Sequence, residues 1–150
     1  VYLYNLTKSI NIPDVQVSLL VQNSEGDVLL VKRNVQPFIN TWTLPTCIVE
    51  LCDRTIFDTV LRIGEGTYDV RHVGDAYIRL VFDSESIHST LTHVFRTESD
   101  DFRIHGDHQW VQPHRLTRER LAPGTEQLVT RSFFGDTFFS EEYEEPVILG

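Results

Sequence analysis

The apolar positions of this chain change period along its length, and the changes mark out its elements. Residues 15–22, VQVSLLVQ, are rich in β-branched and aliphatic side chains and predict a strand. NSEGD at 23–27 gathers the residues of tight turns. DVLLVKRN at 27–34 predicts a second strand, so the first two pair as a hairpin. QPFINT follows as loop, and TCIVEL at 46–51 predicts a short third strand.

From residue 54 to 64 the period becomes helical. Ile56, Val60 and Ile63 recur at i, i+4 and i+7, one buried stripe. Asp53 is the expected cap of this helix, and Gly64 and Gly66 its expected end. Asp58 and Arg62, acid first at i, i+4, are set to pair on the outer face. Beyond it, residues 69–84 predict one or two strands with a bend at Gly74, residues 89–98 another strand, and 108–113 a short one. HRLTRERLAP and GTEQLVTRSFF predict two helices split at Pro123 and Gly124. SEEYEEPVILG, with four glutamates in eleven residues, predicts a solvated tail or terminal arm over 140–150. Strands first, a helix mid-chain and helices late predict an α+β fold, a mixed sheet between helices. The 150 residues fit one domain, 1–150, with its core at about 15–134.

Charge narrows the partners. With 13 basic and 22 acidic residues the net charge is -9, a field that repels nucleic-acid backbones and leaves room only for a local basic pocket. No apolar run reaches the roughly 20 residues of a membrane helix. No leading segment has the order of a secretory signal, so the expected place is the cytoplasm, with Cys47 and Cys52 as free thiols. His105, Asp107, His108 and His114 crowd one stretch but lack helical metal-ligand spacing, and read as ordinary loop residues. His72, His88 and His93 read the same way. There is no nucleophile elbow, P-loop or dinucleotide fingerprint.

Four stretches in order carry a family resemblance: VLLVKR at 28–33, WTLPTCIVELCD at 42–53, THVFRTE at 92–98 and HQWVQPHRL at 108–116. From about residue 15 to 134 the chain resembles the Nudix hydrolases, which cleave a nucleoside diphosphate linked to another group. The resemblance implies an α/β/α sandwich. Trp42, Leu44, Pro45, Val49 and Glu50 match the family's W-x-LPGG-x-VE frame in type and spacing. The family's box, G-x5-E-x7-R-E-U-x-E-E-x-G-U with U aliphatic, puts glutamates on one helical face to hold Mg2+, which neutralises the diphosphate and positions water.

Laid on that box without gaps, Cys47 falls on the first Gly and Asp53 on the next Glu. Leu61 and Arg62 fall on the Arg-Glu pair, Glu65 on the first paired glutamate, Gly66 on the second and Tyr68 on the last Gly. One helical carboxylate of three survives, which implies a weak or lost grip on Mg2+. Arg62 stands where a ligand is expected. It can neutralise Glu65, contact a ligand phosphate directly, or form a plain surface ion pair.

The resemblance therefore implies a nucleotide-ligand binding or regulatory module with little or no hydrolysis. Its alternative is an active Mg2+-dependent hydrolase of an ADP-ribose-like substrate, with Glu50, Asp53 and Glu65 holding the metal and Asp53 and Glu65 catalytic. A third reading is an interaction domain, a homodimer through its first strands or its acidic tail. For a ligand, Arg33 at the end of the second strand, with Lys32, Arg62 and Trp42 are the expected contacts. Trp42, Phe38 and Trp110 are candidates to stack on a base, with the core as the default place for such aromatic side chains.

Overall fold

The computed structural model describes residues 13–35, 38–65, 68–82, 86–134 and 138–144. Strand β1 (Asp14–Gln22) and strand β2 (Val28–Lys32) form the expected antiparallel hairpin. The turn is held by Asn23, whose Oδ1 accepts from the backbone N–H groups of Glu25 at 3.0 Å and Asp27 at 2.9 Å. Gly26 sits at φ 83, a left-handed conformation that glycine adopts without steric cost.

Six more strands complete the sheet: β3 (Trp42–Thr43), β4 (Thr46–Ile48), β5 (Arg71–Phe82), β6 (Ser86–Glu98), β7 (His108–Val111) and β8 (Phe138–Glu144). Their order is β3-β2-β1-β6-β5-β8, with β4 also on β1 and β7 on β2. The β1–β6 and β5–β8 pairs are parallel and the others antiparallel, so the sheet is mixed as expected.

Alternation along β1 divides the core in two. Val17, Leu19 and Val21 face a cluster with Leu29, Val60, Ile63 and Phe95, and Leu20 faces one with Val28, Leu44, Val94, Leu116, Leu128 and Val129. The first cluster is covered by helix α1 (Ile56–Val60), the second by a 3-10 helix (Pro113–Arg118) and helix α2 (Thr125–Phe134). The period of two along a strand requires this, because successive side chains point to opposite faces. The result is the α/β/α layering.

Four elements differ from their sequence expectation, the first being the strand expected over 46–51, which ends at Ile48. Helix α1 spans only Ile56–Val60, with turns after it, instead of 54–64. HRLTRERLAP gives one 3-10 helix; the chain then straightens to dock on β3, with Trp42 N–H donating to Arg120 O at 2.8 Å and Ala122 N–H to Trp42 O at 2.9 Å. Backbone pairing with β3 outweighs local helix preference there. Residues 140–144 of the expected tail lie within β8, paired with β5 from Asp75↔Phe138 to Val81↔Glu144. β8 covers what would otherwise be a bare strand edge. Residues 145–150 and Gly66 lie outside the described residues. Among the described residues no helix is long and apolar enough to cross a membrane.

Candidate functional site

The loop from β4 into α1 builds the site. Thr55, not Asp53, caps the helix: Thr55 is extended at φ -144 and ψ 165, and its Oγ1 accepts from Asp58 N–H at 3.4 Å. The Asp53 carboxylate is thereby left for other partners. Its Oδ2 accepts from Glu50 N–H at 2.9 Å and from the Thr59 hydroxyl at 2.8 Å. Arg62 completes the set as a fork, Nε to Oδ1 at 3.1 Å and Nη2 to Oδ2 at 2.5 Å. The Asp53 side chain is only 3% exposed.

Arg62 does more than pair. Its Nη2 also donates to Ile48 O at 3.1 Å, and its Nη1 lies 3.7 Å from Glu50 Oε1. One guanidinium thus ties the end of β4, the loop and the turn after α1 together. The hydrogen bonds from Arg62 and Glu50 hold the Asp53 carboxyl well below the usual carboxylate range, and Asp53 in turn raises Arg62. Asp58 does not pair with Arg62 as expected; it accepts from Arg54 N–H at 2.9 Å and lies 3.7 Å from Arg54 Nε.

Glu65 does not meet Arg62 either. It pairs with His105, Oε1 to Nε2 at 2.6 Å, and its N–H donates to Arg103 O at 3.0 Å. Of the three expected carboxylates, Glu50 and Asp53 come together on Arg62, while Glu65, after α1, pairs with His105 on the loop before β7. Among the described residues these three do not form a group whose ligand atoms share one small volume. Cys47, on β4 opposite Val17, is half-buried, and burial pushes its thiol up.

Beside Glu65 and His105 opens a cleft of about 460 Å3, lined by Lys32, Arg33, Asn40, Thr46, His105 and Asp107 among others. Arg33 is half-buried, and burial lowers its pKa without discharging a guanidinium. Asn40 at φ 66 and Phe38 at φ 65 both take left-handed backbone conformations at the loop beside it. For a bulky residue such a conformation costs about 1 kcal/mol or more. Phe38 holds it as a residue only 4% exposed, packed in the core, with its carbonyl accepting from the Thr41 hydroxyl at 2.5 Å.

Trp42 does not line this cleft. It packs half-buried against the α2-side core, with Lys32 Nζ 5.9 Å from its ring centroid. Phe38 and Trp110 are likewise core side chains, one in each cluster.

Three solved structures share this architecture. The NUDIX domain of Shewanella oneidensis NrtR, solved with ADP ribose, is 20% identical, covers 89% of this chain and 95% of its own, and superposes with a TM-score of 0.67. The chain has the Nudix fold. A MutT protein from Bacillus halodurans is 16% identical over 91% of this chain and 93% of its own, TM-score 0.68. A bifunctional NMN adenylyltransferase/ADP ribose pyrophosphatase from Francisella tularensis, solved with AMP and a Mn ion, is 19% identical, TM-score 0.61; 89% of this chain matches 46% of that one. No family model matches the sequence, and no curated protein matches it.

The Nudix fold implies a divalent cation on the helix carboxylates, and the donor set here does not fit one. Asp53, the one nearly buried carboxylate of the expected set, already accepts four hydrogen bonds. A fixed guanidinium stands against it, which a hard cation would have to displace. Arg62, expected to pair with Asp58 or Glu65, instead holds Asp53, with Glu50 beside it. Sequence reasoning also missed that His72, Asp75 and His93 come together on β5 and β6. Gly74 inside a strand run was the available signal, since such a glycine marks a bulge.

Proposed function

We propose that this chain is a nucleotide-ligand binding module on the Nudix fold, with little or no metal-dependent hydrolysis. The observation that carries this reading is the fork between Arg62 and the 3%-exposed Asp53. In a metal-dependent site that carboxylate would be offered to the cation. Here a resident cation already neutralises it, so the loop and helix are preorganised without metal.

The lining of the cleft supports a ligand class. Lys32 and Arg33 bring positive charge to a wall that also offers Asn40, Thr46 and His105. A diphosphate suits that chemistry. Arg33 and Thr46 also line an adjoining cavity of about 420 Å3 that includes Val35, Ile78 and Leu128, which offers room for a sugar or base. The ADP ribose held by the Shewanella oneidensis domain supports an ADP-ribose-like compound as the first candidate.

Calorimetry and thermal shift with ADP ribose, with and without Mg2+, test the reading, with release of AMP followed in the same samples. Binding that raises the melting temperature equally with and without Mg2+ is expected. Mg2+-dependent hydrolysis at an ordinary enzymatic rate, abolished in Glu65→Gln, would replace it with an active hydrolase using Glu50, Asp53 and Glu65.

A further inference from the structure

β5 and β6 pair in antiparallel register with one irregularity: His72 opposes Phe95, Gly74 opposes Val94, and Asp75 opposes His93. Val73 is the extra residue of a β-bulge. This matters because His72 and Asp75 are three apart, a spacing that puts side chains on opposite faces of a regular strand. The bulge adds one residue and changes the parity, so both reach the same face. That face is the α1 side: Asp75 and His93 lie in one row across the sheet with Val17, a member of the α1-side core, and the His72 ring lies 5.2 Å from Phe95.

The outcome is a three-residue constellation. His72 Nε2 lies 2.8 Å and His93 Nδ1 2.7 Å from the same Asp75 oxygen, Oδ1. The three ligand atoms all fall within 4.8 Å of one another. The ring of His93 and the carboxylate are partly buried, at 22% and 31% exposure, and His72 is 40% exposed. None of the three lines the basic cleft beside Arg33.

We propose that His72, Asp75 and His93 form a binding site for a borderline divalent transition-metal ion, Zn2+ foremost. Imidazole nitrogens select Zn2+ and its neighbours over Mg2+, which prefers oxygen alone. Two ligands bound at about 2.1 Å in a tetrahedral site stand about 3.4 Å apart, so the Asp75-to-histidine separations of 2.8 and 2.7 Å seen here need open only by about 0.6–0.7 Å to admit the ion. The third pair closes by rotation of His72, the most exposed of the three. Three protein ligands leave a fourth position toward solvent, the arrangement of a zinc site that takes water or a ligand. This site is independent of the reading given for the basic cleft.

The full chain, stripped with chelator and dialysed, is titrated with Zn2+ by calorimetry and with Co2+ by visible absorption. One Zn2+ per chain at micromolar or tighter affinity is expected, undisturbed by millimolar Mg2+, with Co2+ giving ligand-field bands. His93→Ala, Asp75→Asn and His72→Gln should each weaken binding by about tenfold or more. His114→Ala, on an exposed residue away from the site, should leave it unchanged. Circular dichroism checks that each variant folds; should the more buried His93→Ala unfold, His72→Gln at the exposed corner still gives the answer. No stoichiometric uptake, or uptake indifferent to the triad variants, overturns the proposal.

Discussion

Arg62 grips Asp53 with two donors, Nε on one carboxylate oxygen and Nη2 on the other, nine residues apart in sequence and on opposite ends of α1. The pair is anchored at its acidic end, where Asp53 is 3% exposed, and open at its basic end, where Arg62 is 36% exposed. It also carries the Ile48 carbonyl, so it joins strand, loop and helix.

Arg62→Ala should therefore destabilise the fold far more than Arg54→Ala. The Arg54–Asp58 pair is a 3.7 Å surface contact with Arg54 91% exposed, worth at most about 1 kcal/mol. Loss of Arg62 leaves Asp53 nearly buried without its cation. Arg62→Lys should rescue only in part, because an ammonium cannot bridge both oxygens. Thermal melts of the three variants rank them; equal melting temperatures for Arg62→Ala and Arg54→Ala would contradict this.

The same pair sets an acid limit. The Asp53 carboxyl is held below its ordinary value of about 3.9 in the folded state. A folded pKa depressed in this way gives stability that is complete above the unfolded pKa and is lost as pH falls from about 4 toward the lower folded value. Asp53→Asn should flatten the decline of melting temperature below about pH 4, while lowering stability at pH 7.

Arg62→Glu would place a third carboxylate with Glu50 and Asp53. Without metal this variant should melt well below the parent, through like-charge repulsion. Millimolar Mg2+ should restore part of the loss in the variant and do little for the parent, read as paired thermal shifts. No response in the variant would mean that a carboxylate at position 62 does not complete a cation site with Glu50 and Asp53.

Lys32 and Arg33 line the cleft in which the proposed ligand would bind. A charge-assisted hydrogen bond contributes about 1.5–3 kcal/mol, so Arg33→Ala should weaken ADP ribose binding about tenfold or more. Lys32→Ala should weaken it less, since Lys32 also rests over Trp42. Calorimetry decides between them, with melting temperature as the control for folding.

Gly64 is required by packing. A Cβ there would meet the Phe102 ring at 2.2 Å, and that ring packs edge-on against Tyr68 with centroids 5.1 Å apart. Gly64→Ala should cost about 1–3 kcal/mol as the ring is forced aside. Denaturant unfolding measures it; Gly64→Ala paired with Phe102→Leu should recover part of the loss.

Local pattern alone determined most of the framework. The β1–β2 hairpin, its turn at 23–27, the bend near Gly74 in β5, the Ile56–Val60–Ile63 stripe and the mixed sheet between helices were all legible, because periodicity and turn chemistry act over a few residues. That Arg62 would sit close to the carboxylates of this segment was legible too, because it is a matter of spacing. What Arg62 would grip was not. That choice depended on Thr55 taking the cap and freeing Asp53, and on the chain turning after Val60, which left Glu65 to His105. Nor could the sequence place residues 138–144 beside β5, since strand pairing is settled by which edge remains bare. The His72–Asp75–His93 group was the most hidden. One extra residue in a strand reverses which face a side chain occupies, and only the register of β5 against β6 shows where that residue lies.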